Sequence, residues 1–249
     1  MSAFLGIAGY EYHMGIRRWG LWLAFLLAGI PFFFNPSFGY DFDQMTSVWQ
    51  IAASMALMGN LLLPVVGGIA MADRLERDFR LGIRELQRAT PLSRSVYVLA
   101  KYVGAVLTVA TPALLLSLVA DGLVVARGAP VALFGASLVA FLVINLVAYL
   151  FVGAFALACP LFMPVRVFQV LFTGYWIWGN YMSPQAIPTL SDTLLTVSGR
   201  WVARGFFGLA WYDQTLATPL EAAANLVLLG LGAAVALVAL DRILARQSG

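Results

Sequence analysis

Apolar residues along this chain run in long blocks. They show neither the strict alternation of a half-buried strand nor the narrow stripe of a soluble helix. Six blocks stand out: about Trp19–Phe34 (extendable to Phe38), Val48–Ala72, Val96–Ala120, Val131–Ala158, the short Val165–Tyr181, and Glu221–Leu240. A helix needs roughly 20 apolar residues to cross a bilayer. The pattern therefore predicts an all-α polytopic membrane protein, with six transmembrane helices in a single domain over residues 1–249. Between the blocks lie Pro, Asp, Ser and Gly, the residues of turns.

Two apolar segments do not read as crossings. Ala3–Ile16 places Leu5, Tyr12 and Ile16 at near-helical spacing, with Glu11 polar and Arg17 and Arg18 following. It predicts an amphipathic helix lying along the inner membrane surface. It lacks the basic start and cleavage site of a signal peptide, so the first span is expected to be retained. Leu190–Tyr212 mixes Leu194, Trp201 and Phe206 with Asp192, Arg200 and Arg204, and is broken by Gly199, Gly205 and Gly208. It predicts short outer helices, between helices 5 and 6, that dip into or lie on the outer leaflet.

Composition narrows the chemistry. The chain is 61% hydrophobic and 11% charged. One cysteine, Cys159, and one histidine, His13, exclude an intrachain disulfide, a Cys/His metal cluster and an H-E-x-x-H site. Lys101 is the only lysine and stands between Ala100 and Tyr102, so the chain has no G-K-[ST] phosphate loop. The net charge of +3 is no nucleic-acid footprint in so apolar a chain; the distribution of its basic residues carries more information. With the N-terminus in the cytoplasm, twelve of the fifteen Lys and Arg residues fall on the inner side, leaving Arg127, Arg200 and Arg204 outside. Both termini are then cytoplasmic and the membrane is the plasma (inner) membrane. Trp19, Trp22, Tyr97 and Tyr102 are expected as inner interfacial anchors, and Trp49, Tyr175, Trp176, Trp178 and Tyr181 as outer ones. No Asp or Glu falls mid-span, which disfavours proton coupling. Asp121 is expected at the outer interface. The mid-span polar residues Asn60, Thr108, Thr111, Asn145 and Asn225 are expected to hydrogen-bond between helices.

One stretch departs from all this. Asp73–Arg94, DRLERDFRLGIRELQRATPLSR, holds ten charged side chains in 22 residues. Phe79, Ile83 and Leu86 recur at helical spacing, and so do Arg80, Arg84 and Arg88. One face is apolar and another is a row of arginines. Glu76 can reach Arg80 and Glu85 can reach Arg88, each pair adding a few tenths of a kcal/mol. Gly82 is expected to divide the segment, and Thr90-Pro91 to cap and restart a helix toward the third span. A solvated basic loop that only touches anionic lipid needs no apolar stripe. A helix that docks on a protein does.

Arg77–Gly104, RDFRLGIRELQRATPLSRSVYVLAKYVG, resembles the permeases of ABC-2 type transporters. That family shows an Arg/Asp-rich run, then G-x-x-E-L, a Thr/Ser-Pro-x-Ser-Arg turn, and a helix with a basic residue near its start. Gly82, Glu85, Leu86, Thr90, Pro91, Ser93, Arg94 and Lys101 fit it. The resemblance implies a cytoplasmic coupling helix around Gly82–Ala89, between helices 2 and 3, that docks on a separate ATP-binding cassette ATPase. Phe79, Ile83 and Leu86 would bury against that subunit, while Arg80, Arg84, Glu85 and Arg88 fix its orientation. It also implies a second permease half, identical or different, and an exporter. This chain would be a non-catalytic subunit with no cofactor of its own, ATP and Mg being bound by the partner. The aromatic outer surface and apolar spans suit a hydrophobic or amphiphilic cargo. The alternatives are a stand-alone ion-coupled secondary transporter and a polytopic lipid-modifying enzyme; the latter needs a polar constellation at one interface, which the sequence does not display.

Overall fold

The computed structural model describes residues 3–34, 45, 47–82, 93–209 and 216–246. Regular structure in these residues is all helical. The elements are α1 (Ala3–Ile16), α2 (Trp19–Phe34), α3 (Val48–Met71), α4 (Arg74–Arg80), α5 (Arg94–Ala126), α6 (Leu133–Leu161), α7 (Val165–Tyr181), α8 (Arg200–Phe206) and α9 (Pro219–Arg246). Four of them, α3 continued by α4, α5, α6 and α9, are long and apolar enough to cross a membrane. At 33 residues α5 is about 50 Å long, well beyond the roughly 30 Å of a hydrocarbon core. The helices α2 and α7 have 16 and 17 residues, about 24–26 Å, and are shorter than that core.

The central element is α3, which packs against α2, α5, α6, α7 and α8. Its buried face is rich in small residues, among them Ala52, Ala53, Ala56 and Gly59. Small residues let helix backbones approach closely where lipid offers no hydrophobic drive to associate. A π-turn at Phe141–Asn145 interrupts α6 and sets Asn145 against α3.

Ion pairs and hydrogen bonds sort the helix ends. Arg18 lies 3.9 Å from Asp73, and Arg94 pairs with Asp241 at 3.1 Å. The start of α2, the end of α3, the start of α5 and the end of α9 thus share one end of the bundle. At the other end Gln50 Nε2 donates to Gly208 O at 3.0 Å, joining the start of α3 to the chain after α8.

Three expectations change. The helix α1 packs along α5 and turns Glu11 into the bundle, where it is 3% exposed. The close approach requires Gly104, because a Cβ there would stand 2.6 Å from the Ala8 carbonyl oxygen. Trp176 is no interfacial anchor: it is fully buried and donates Nε1–H to Leu61 O at 3.0 Å. Tyr97 and Tyr102, expected as inner anchors, are likewise buried, with their hydroxyls on Asp78 and on Leu150 O. Trp19, Trp49 and Trp178 are exposed.

Candidate functional site

Two short helical spacings face each other where α4 meets α5. Arg74 and Asp78 are four residues apart on α4, and Tyr97 and Lys101 four apart on α5, so each pair shares one helix face. Glu11 of α1 enters between them. Arg74 Nη1 meets Glu11 Oε1 at 2.7 Å and Lys101 Nζ meets Glu11 Oε2 at 2.9 Å. Lys101 also pairs with Asp78, which accepts the Tyr97 hydroxyl proton. Arg74 Nε donates to Ala70 O at 3.3 Å. All four charged side chains are buried, and their charges cancel. A buried ion pair gains little over an apolar substitute, but removing one partner leaves an uncompensated charge at a cost of about 3–5 kcal/mol. The cluster therefore locks three elements in one mutual arrangement.

This cluster was only half legible in the sequence. The sequence places Arg74 and Lys101 among the inner-side basic residues and Glu11 on the polar side of a surface helix, and does not pair them. The missing information is which face of each helix meets another.

Two of the expected loop residues lie on the helix that carries Arg74 and Asp78. Phe79 and Arg80 belong to α4, and exposed Arg80 pairs with Glu76 at 3.1 Å, the expected i, i+4 bridge. Arg77 donates to the Met14 sulfur at 3.2 Å, a second tie between α4 and α1. The helix stops where Gly82 takes φ +69°, a left-handed conformation that favours glycine just past a helix end. Ile83, Arg84, Glu85, Leu86, Arg88, Thr90 and Pro91 lie outside the described residues.

A second polar constellation sits mid-bundle. Asn145 Nδ2 donates to Ala56 O and to Asn60 Oδ1, both at 2.8 Å, and the Tyr181 hydroxyl donates to Asn60 O at 2.7 Å. Asn60 Nδ2 reaches Ser198 O at 3.2 Å. Asn180 Oδ1 accepts from Thr196 Oγ1 and from Val197 N, and Asn225 Nδ2 donates to Leu194 O and Thr196 O. Among the described residues, the expected short outer helices thus reduce to α8. The irregular chain before it drives inward, with Thr196–Ser198 only 1% exposed. Irregular backbone in such a place must be satisfied by protein, and the asparagines do this.

Asp121 also departs from expectation. It is fully buried beside Ser137, because the C-terminal part of α5 packs on the first turns of α6. No described ion pair includes it. An acid inside the bundle removes one argument against an ion-coupled carrier. Comparison with known protein families finds no matching model, and no curated protein matches the chain.

Proposed function

We propose that this chain is the transmembrane subunit of an ABC-2 type exporter, driven by a separate ATP-binding cassette ATPase. One observation carries the reading. The helix α4, which opens the arginine-rich loop, is bolted through Arg74 and Asp78 to Glu11 of α1 and Lys101 of α5. A partner that pushes on the loop would move the long helix α5 and the entry helix α1 with it. The remaining loop residues, with Ile83 and Leu86 apolar and Arg84 and Arg88 basic, would make the docking helix.

In this reading ATP and Mg are bound by the partner; the chain's only lysine is already paired with Glu11 and Asp78. The charge-rich end of the bundle faces the cytoplasm of the plasma membrane and carries both termini. A second permease half completes the path, and the cargo is hydrophobic or amphiphilic.

This reading takes the chain through six passes. Arg18 sits beside Asp73 at one end, whereas α3 starts at the other, which supports a pass by α2. The same kind of placement supports a pass by α7. Arg166 lines a cleft with Arg18 and Asp73, while α9 ends, not starts, on that side through Asp241.

The direct test is a crosslink. A cysteine at Leu86, in a Cys159→Ala background, should link to the ATPase encoded alongside this chain. An active complex with no such link would remove the docking claim. The second reading, an ion-coupled carrier, is favoured by Asp121 alone. It requires Asp121→Asn to abolish gradient-driven uptake in vesicles lacking ATP and partner; the exporter requires no uptake there at all.

A further inference from the structure

At the charge-rich end a cleft of about 730 Å³ opens between α2, α3, α4 and the start of α7. That volume falls within the roughly 300–1,000 Å³ of small-molecule sites. Its two walls differ. One is apolar, from Leu21 and Ala24 of α2 and Val66 and Ile69 of α3. The other is charged, with Arg18, Asp73, Arg74, Glu76, Arg80 and Arg166.

The cations are not equally committed. Arg74 belongs to Glu11 at 2.7 Å and Arg80 to Glu76 at 3.1 Å. Arg18 stands 3.9 Å from Asp73, too far for a hydrogen bond. Arg166 is exposed, donates to the neutral Gln169 Oε1 at 3.3 Å, and makes no ion pair among the described residues. Gln169 is itself anchored by its amide on Ile69 O at 3.2 Å. Two guanidinium groups with spare donors therefore border a recess whose other wall is aliphatic, where apolar helices reach the charged end.

We propose that this cleft seats an anionic glycerophospholipid, its phosphate taken by Arg18 and Arg166 and its acyl chains running along the apolar wall of α2 and α3. Guanidinium groups match phosphate oxygens geometrically, and basic pockets between membrane helices bind anionic headgroups. A free phosphate would leave the apolar wall and most of the volume unused. The site stands whether or not an ATPase docks on this chain; it requires only that the bundle lie in a membrane. Because the cleft borders Arg74, a seated lipid would brace α2 and α7 against the charge cluster.

The full chain is reconstituted in phosphatidylcholine nanodiscs containing a minor fraction of phosphatidylglycerol, and bound lipid is counted by native mass spectrometry. Arg166→Gln should weaken phosphatidylglycerol about five-fold, and Arg18→Gln with Arg166→Gln about twenty-fold. Arg127→Gln, on the loop after α5, should change nothing. Ala24→Phe narrows the apolar wall with both arginines intact and should also lower retention. Arg166 is at the surface, so its single variant tests the site even if the double variant folds poorly. Equal retention in Arg166→Gln and wild type would overturn the proposal, as would equally tight phosphatidylcholine. Full displacement by millimolar glycerol phosphate would overturn the lipid in favour of a soluble phosphate.

Discussion

Glu11 accepts from both buried cations, so losing its charge unbalances Arg74 and Lys101 together. Glu11→Gln should destabilise the chain by about 3–5 kcal/mol, and Lys101→Met by a similar amount. The double variant keeps one cation and one carboxylate, Arg74 and Asp78. It should therefore cost less than the sum of the singles, by more than the roughly 0.3–0.5 kcal/mol scatter of independent sites. Denaturant unfolding in detergent measures all three; strict additivity would show that the four charges do not act as a unit. At this scale the sequence misled most where a residue's inward or outward face mattered. Glu11 and Trp176 read as interfacial in the sequence because a membrane helix is apolar on its lipid side as well as its core side. Periodicity then no longer marks the buried face. Asn60 and Asn145 are legible, because an amide within a span must find a partner on a neighbouring helix; Asn225 instead bonds to the irregular chain at Leu194 and Thr196, and Thr108 to Gly104 O of its own helix.

Two elements owe their place to a few contacts, and each can be released. The helix α1 needs the bare backbone of Gly104, so Gly104→Val should lift it from α5. Hydrogen–deuterium exchange should then rise at least about ten-fold across residues 3–16, corresponding to roughly 1.4 kcal/mol of lost protection. Unchanged exchange would mean that α1 holds by the charge cluster alone. The inward segment before α8 depends on Asn180, whose side-chain oxygen accepts from Thr196 and from the Val197 amide. Asn180→Leu leaves the buried Val197 amide unmatched and the Thr196 hydroxyl with Ser198 Oγ alone, at about 1–3 kcal/mol. In a Cys159→Ala, Val197→Cys background, it should raise the maleimide labelling rate at position 197 several-fold. Helices of this fold were legible from block length and turn residues, and Gly82 did mark the end of α4. The inward path of Thr196–Ser198 was not legible, since a segment that hydrogen-bonds to distant asparagines carries no period of its own.

For the whole molecule, helix length and helix-end placement give different counts. Among the described residues, length admits four crossings, because α2 and α7 as described are shorter than a hydrocarbon core. Placement favours six, because Arg18 and Arg166 border one cleft at the end where α3 and α9 finish. A short helix can still cross if the bilayer thins or the flanking chain completes the path, at fractions of a kcal/mol per Å of mismatch. The two counts separate by accessibility. Single cysteines at Arg18, Met45, Arg127, Arg166, Gln185 and Arg246, each in a Cys159→Ala background, are exposed to a membrane-impermeant maleimide. Six passes require Met45→Cys, Arg127→Cys and Gln185→Cys to label in intact cells, and the other three only after lysis. If α7 does not cross, positions 166 and 185 will label from the same side. The chain would then reach α9 by another route, and the paired permease arrangement proposed above would lose its topology.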